Sequence, residues 1–158
     1  FLDFLMRYAR RLKGREAERV RELAAPFLSG VGPFLRDRDV LRRALAVQTL
    51  GVLGSPSEHA PLVAALGDDS PLVSMLAARA LAAHAGPIHA QPILANLDRF
   101  ENWGSEYVTS LLVSLGPEAA PGLRQVLEDG QRAPRVRALA SDALRGLHDL
   151  EASRSAAR

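Results

Sequence analysis

The stretch "VRALASDALRGL", Val136 to Leu147, decides the fold. It spells a helix with small residues in its middle and Leu near its end, and the spelling recurs upstream. "VSMLAARALAAH" runs from Val73 to His84, "YVTSLLVSLG" from Tyr107 to Gly116, and "ALAVQTLGVLG" from Ala44 to Gly54. The matched leucines are Leu50, Leu81, Leu112 and Leu144, spaced 31, 31 and 32 residues apart. Ala46, Ala77, Val108 and Ala140 hold the same register ahead of them. A second marker follows the first three of these helices: "APLVAAL" at Ala60, "QPILANL" at Gln91 and "APGLRQVL" at Ala120, with an earlier copy, "APFLSG", at Ala25. Self-similarity near this period signals stacked helix pairs.

The first helix of each pair carries apolar or small residues at i, i+4, i+5 and i+8, the buried stripe of a helix. Small residues there let a neighbouring helix approach closely, and the terminal Leu fills the space between layers. Gly54 and Gly116 are expected to end their helices with positive φ. Proline lacks an N–H and is tolerated in the first turn of a helix, so Pro26, Pro61, Pro92 and Pro121 mark the starts of second helices. Asp68 and Ser70, just ahead of Pro71, can cap the helix that follows. First helices are expected near 15–24, 38–53, 70–84, 104–115 and 133–147. Second helices are expected near 26–35, 57–67, 87–99 and 117–128, with a partial one after 149. A leading helix covers 1–13, the repeat region 14–150, and a frayed or truncated tail 151–158. The fold class is therefore all-α, a right-handed α-solenoid of about five helix pairs.

Composition agrees. Ala and Leu make up 52 of 158 residues, while Ile occurs only at Ile88 and Ile93. There is no Cys, which excludes disulfides and thiolate metal sites. Nineteen of the 20 basic residues are Arg, and the net charge of +2 is too small to signal a nucleic-acid protein. Residues 1–43 carry 11 basic and 6 acidic groups, residues 44–130 carry 3 and 9, and residues 131–158 carry 6 and 3. No apolar run is long enough to span a bilayer. The chain starts at Phe1, not Met, and reads as a piece of something longer.

The pattern resembles the HEAT-repeat family, and within it the bacterial branch named for phycobilisome lyases. That branch's consensus runs Val-Arg, two spacers, Ala-Ala, a spacer, Ala-Leu-Gly, a spacer, Leu-Gly. Val136, Arg137, Ala140, Ser141, Ala143, Leu144 and Leu147 match it, and Ala46, Val47, Leu50, Gly51, Leu53 and Gly54 match its second half. Val73, Ala77, Ala78, Ala80 and Leu81 also match, with Ser74 in place of the Arg and His84 in place of the last Leu. The resemblance covers roughly residues 15–150 and implies a stack of helix pairs. It says little about function, because one such scaffold serves many roles.

No catalytic set can be assembled. The histidines are His59, His84, His89 and His148. "HAGPIH" sets two of them across one turn, but a metal site needs a third ligand and none stands at ligand spacing. His84 reads as a hydrogen-bonded interior His, and His59 as facing water. No Ser–His–acid set, carboxylate pair or phosphate loop is present. No cofactor, metal or enzymatic activity is expected.

Two enzymes that the resemblance brings into view fit poorly. A HEAT-like alkyl-base DNA glycosylase needs aromatics and an acid in a basic groove, whereas this chain has one Trp and an acidic middle. Deoxyhypusine hydroxylases carry His-Glu iron ligands, whereas here the order is Glu58-His59, once. A phycobilin lyase is the alternative the resemblance supports best, though no chromophore pocket is singled out.

The expected role is protein–protein binding, on the cytoplasmic side. The longest break between helices, "DRFENWGSEY" at 98–107, holds Phe100, Trp103 and Tyr107. Phe100 and Tyr107 read best as plugs between repeats, and Trp103 as a partly exposed anchor. A partly acidic surface of Asp68, Asp69, Glu118, Glu128 and Asp129 would suit a basic or mixed partner. Asp68 and Glu118 stand at helix termini and read as caps. The candidate partner contacts are thus Trp103, Phe100, Asp69, Glu128 and Asp129. The partner is another protein and not nucleic acid.

The leading helix, "FLDFLMRYARRLK", has two readings. Phe1, Leu5, Tyr8 and Leu12 form a stripe opposite Asp3, Arg7 and Arg10, as in an amphipathic cap on the open end of the stack. Alternatively "FLDFLM" ends a membrane helix that begins upstream of Phe1, with Arg7, Arg10, Arg11 and Lys13 as its cytoplasmic flank.

Overall fold

The computed structural model describes residues 1–55 and 59–156, and the side chains of all of these except 84–87 and 151–156. The interior-His reading of His84 and everything at 56–58, Glu58 included, lie outside the described residues. The helices are α1 (Leu2–Ala9), α2 (Arg15–Leu28), α3 (Val40–Leu53), α4 (His59–Ala65), α5 (Pro71–Ala85), α6 (Ala90–Ala95), α7 (Ser105–Ser114), α8 (Ala120–Glu128) and α9 (Pro134–Ala156). Short 3-10 turns lie at Gly32–Arg36, Gly86–His89, Leu97–Phe100 and Pro117–Ala119. Among the described residues there is no strand, so the protein is all-α.

The chain divides into two compact units, Phe1–His84 and Ala85–Arg158. In the first, α1 packs on α2 and α3, and α3 packs on α2, on the Gly32–Arg36 turn and on α4. In the second, α8 packs on α6, and α9 packs on both α7 and α8.

The repeat register governs burial. Ala46, Ala77, Val108 and Ala140 are all buried. Three residues further on stand Thr49, Ala80, Leu111 and Ala143, also buried. Leu50, Leu81 and Leu112 follow in the core, and then Leu53, Leu115 and Leu147 one turn later. The working stripe is thus i, i+3, i+4, i+7, the face a 3.6-residue period makes. In α9 the match is looser: Leu144, the i+4 residue there, is only half-buried, and Ser141, at i+5 from Val136 in the sequence reading, is exposed.

Small residues mark close approaches. A Cβ on Gly51 of α3 would stand 2.6 Å from the Cβ of Ala80 on α5. In the second unit, a Cβ on Gly122 of α8 would meet the Leu94 side chain of α6 at 2.6 Å, and one on Gly146 of α9 would meet Val113 of α7 at 2.8 Å. At Gly51 the atom met is a Cβ fixed to its helix, so a side chain there would force the two helices apart, whereas the Leu94 methyl at Gly122 can turn away.

A second device recurs three residues ahead of the register position. Arg43 Nη1 donates to the carbonyl of Asp37 at 2.9 Å, where the first 3-10 turn ends. Ser74 Oγ donates to the carbonyl of Leu66 at 2.6 Å, just past α4. Arg137 Nε donates to the carbonyl of Leu127 at 2.9 Å, at the end of α8. The last carbonyls of a helix have no partner within it. In these three copies a side chain from the next first helix supplies one and ties successive elements together. Ser74 therefore does with a hydroxyl what Arg43 and Arg137 do with a guanidinium.

Five expectations need correction. α2 runs through Pro26 to Leu28, so Pro26 does not open a second helix. Ala24 and Leu28 lie one turn apart on the same buried face, and their burial carries the helix past the missing N–H. The second element of that copy shrinks to the Gly32–Arg36 turn, with Pro33 at its start. Pro61, Pro92 and Pro121 do stand in first turns. Gly54 is extended, with φ −67° and ψ 157°, whereas Gly116 has the positive φ, +84°. α9 continues unbroken to Ala156, so no separate partial helix begins after 149 and the described part of the tail is helical. On α1 the buried side chains are Leu5 and Met6, while Phe1 and Tyr8 are exposed together with Phe4. His59 does not simply face water, since its ring is half-buried with Nε2 shielded from solvent.

Candidate binding surface in the second unit

The break between α6 and α7 is built from its buried end outward. Leu97 and Phe100, on the Leu97–Phe100 turn, are fully buried and anchor the segment. Phe100 is therefore a plug, and its ring has no surface to offer a partner. The Trp103 N–H donates to the Phe100 carbonyl at 3.0 Å, and Gly104 then leads into α7.

Trp103 is half-buried. Its ring stacks on that of Tyr107, one helical turn on, with centroids 5.6 Å apart and planes 22° from parallel. Tyr107 is 38% exposed, which corrects its reading as an interior plug. The two rings form one amphipathic surface in which each limits the other's motion.

One arginine from the α8–α9 connection and one from the first turn of α9 hold this segment in place. Arg135 Nη2 donates to the Trp103 carbonyl at 2.8 Å. Arg132 pairs with Asp98, and its Nε lies 3.6 Å from Asp129 Oδ2. Asp129 Oδ1 in turn accepts the Gln131 N–H at 2.9 Å. The 98–104 and 129–135 segments are thereby joined into one corner. It brings Trp103 and Asp129 together, with exposed Glu128 next in sequence at the end of α8. Sequence reasoning missed Arg132, Arg135 and Asp98. No periodic signal announces them, because Asp98 and Arg132 lie between α-helices and Arg135 is exposed in the first turn of α9, off the buried stripe.

Asp69 is exposed in the turn between α4 and α5, in the first unit. Its neighbour Asp68 is committed elsewhere. The Asp68 carboxylate takes two bonds from Arg43, Nε to Oδ2 at 2.8 Å and Nη2 to Oδ1 at 2.9 Å, and also accepts the Ser70 N–H at 2.8 Å. Donation to the Asp68 carboxylate raises the Arg43 pKa above its ordinary value. Asp37 is held below the usual carboxylate range, first by the Asp39 N–H bonded to its Oδ1 at 2.8 Å and then by Arg42 and Arg43. These groups order a turn. Glu118 is exposed on the Pro117–Ala119 turn that leads into α8, where a negative charge suits a helix start.

Among the described residues no cluster of His, Asp and Glu could hold a metal ion. An open groove of roughly 440 Å³ between α7 and α9 is lined by Glu106, Asp142, Arg145 and Asp149 together with Ser and Thr side chains. Another of about 390 Å³ is lined by Arg10, Gln48 and Arg79. No His lines either groove. Among the described residues no helix is long and apolar enough to cross a membrane. The chain matches no family model, no curated protein and no solved structure.

Proposed function

We propose that the chain is a non-catalytic protein–protein interaction scaffold, a right-handed α-solenoid of HEAT-like helix pairs within a larger bacterial protein. It works in the cytoplasm or on the cytoplasmic face of a membrane. Support for the repeat reading comes from the shared burial register and from the side-chain-to-carbonyl ties that recur with it.

The observation that carries the binding role is the Trp103–Tyr107 stack. Two aromatic rings sit at the surface on a backbone pinned by Arg135, beside the Asp98–Arg132–Asp129 pairs. A rigid aromatic pair with a polar rim loses little entropy on binding, which is what an interface anchor needs. Asp129 and Glu128 favour a partner of basic or mixed charge.

The test compares what is retained by immobilised wild-type chain, by a Trp103→Ala/Tyr107→Ala variant, and by an Arg124→Ala control on the exposed side of α8. A partner held by wild type and control but released by the double variant supports the reading. Identical retention by all three rules out this corner as the contact.

A further inference from the structure

The first unit carries a surface of a different kind. Phe1, Phe4, Tyr8, Leu23 and Phe27 are each more than half exposed. They lie on α1, just ahead of it and on α2, two helices that pack on each other. Phe4 and Tyr8 contact each other on α1 with centroids 4.7 Å apart, and Phe1 contacts Phe27 of α2 at 4.9 Å. Leu23 precedes Phe27 by one helical turn. An exposed apolar patch of this extent marks an interaction site. Their exposure leaves these side chains open to solvent.

The charges around the patch identify its occupant. Arg7 follows Phe4 at i+3 on α1 and Arg19 precedes Leu23 at i+4 on α2, so these two arginines neighbour the apolar side chains, and Arg11 follows just past the end of α1. Residues 1–28 hold seven basic side chains, Arg7, Arg10, Arg11, Lys13, Arg15, Arg19 and Arg21, against the acids Asp3, Glu16, Glu18 and Glu22. A self-complementary contact with a second copy would bring this positive rim against itself. Exposed rings on a basic surface instead match an anionic bilayer, where aromatics settle at headgroup level and arginines meet lipid phosphates.

We propose that the α1–α2 face docks on an anionic lipid surface, with Phe1, Phe4, Tyr8, Leu23 and Phe27 inserted into the interface and Arg7, Arg11 and Arg19 on the headgroups. The docking uses the folded helix pair and is independent of the partner surface in the second unit. The experiment is co-sedimentation of the full chain with phosphatidylcholine vesicles, with and without roughly 30% phosphatidylglycerol. Binding is expected only with the anionic lipid and should weaken as salt rises. It should fall at least about tenfold in Phe4→Ser/Phe27→Ser, and by a similar factor in Arg7→Glu/Arg11→Glu. Both pairs are exposed, and circular dichroism checks that the variants stay helical. Absence of binding, equal binding to both vesicle types, or undiminished binding by the Phe variant overturns the proposal. A concentration-dependent dimer that the Phe variant abolishes, without vesicle binding, also overturns it and assigns the face to a second copy.

Discussion

At Ala46, Ala77, Val108 and Ala140 the available space limits the side chain more than its hydrophobicity does. All four are buried on the stripe that faces the core. Ala77→Phe should overpack α5 and cost about 1–3 kcal/mol, read as a lower urea midpoint. An unchanged midpoint would mean that the register is wrong. Gly51 is a sharper case, because Gly→Ala inside a helix ordinarily gains about 1 kcal/mol. Here the added methyl meets Ala80 at 2.6 Å, so Gly51→Ala should lose stability instead. Adding Ala80→Gly should restore part of the loss, giving a coupling measurable in a double-mutant cycle. This level was the most legible in sequence, since small residues repeating at 31 can be counted. Close approach at Gly122 and Gly146 was not legible, because nothing in the chain tells a packed glycine from a flexible one.

At the scale of elements, the ties between successive helices are the feature to test. Ser74 is fully buried and its hydroxyl satisfies the Leu66 carbonyl, so Ser74→Ala should cost about 1–3 kcal/mol by leaving that group without its donor. In the sequence, Ser74 read as a departure from a Val-Arg pattern. A comparison of residue types does not reveal the property Ser74 shares with Arg43 and Arg137, a donor within reach of a carbonyl. Pro26 was misread for a related reason. A proline rule is local, whereas the burial of Ala24 and Leu28 is tertiary and overrides it. Pro26→Ala should therefore stabilise α2 by about 1 kcal/mol or more on thermal melting, by restoring a helical N–H. A destabilised variant would show that the proline is needed where it stands. The turn ahead of α3 adds a pH dependence. The folded pKa of Asp37 is depressed, so its contribution is present above the ordinary carboxylate pKa and is lost as pH falls through the folded value. Asp37→Asn should flatten the acid side of the stability–pH profile and leave neutral-pH slopes alone.

For the whole molecule, the two compact units carry two different surfaces: an aromatic patch with basic flanks on α1 and α2, and a pinned aromatic corner in the second unit. The sequence pointed at the corner through Trp103, the single Trp, standing in the longest interruption of the repeat. It could not separate buried Phe100 from exposed Tyr107, because both flank that Trp and only the path of the turn decides which ring goes inside. Nor could it place Phe1 and Tyr8, since a stripe counted from the first residue has several equivalent phases until packing selects one. The central claim is that the corner presents Trp103 for binding and does not spend it on stability. The most direct measurement combines Trp103 fluorescence with the stability of Trp103→Ala. An accessible indole stacked on Tyr107 should be quenched readily by acrylamide, and the alanine variant should lose only about 0.5–1.5 kcal/mol, the value of an aromatic pair. Blue-shifted emission that resists quenching, together with a loss of about 3–5 kcal/mol, would contradict the claim and make Trp103 a core residue.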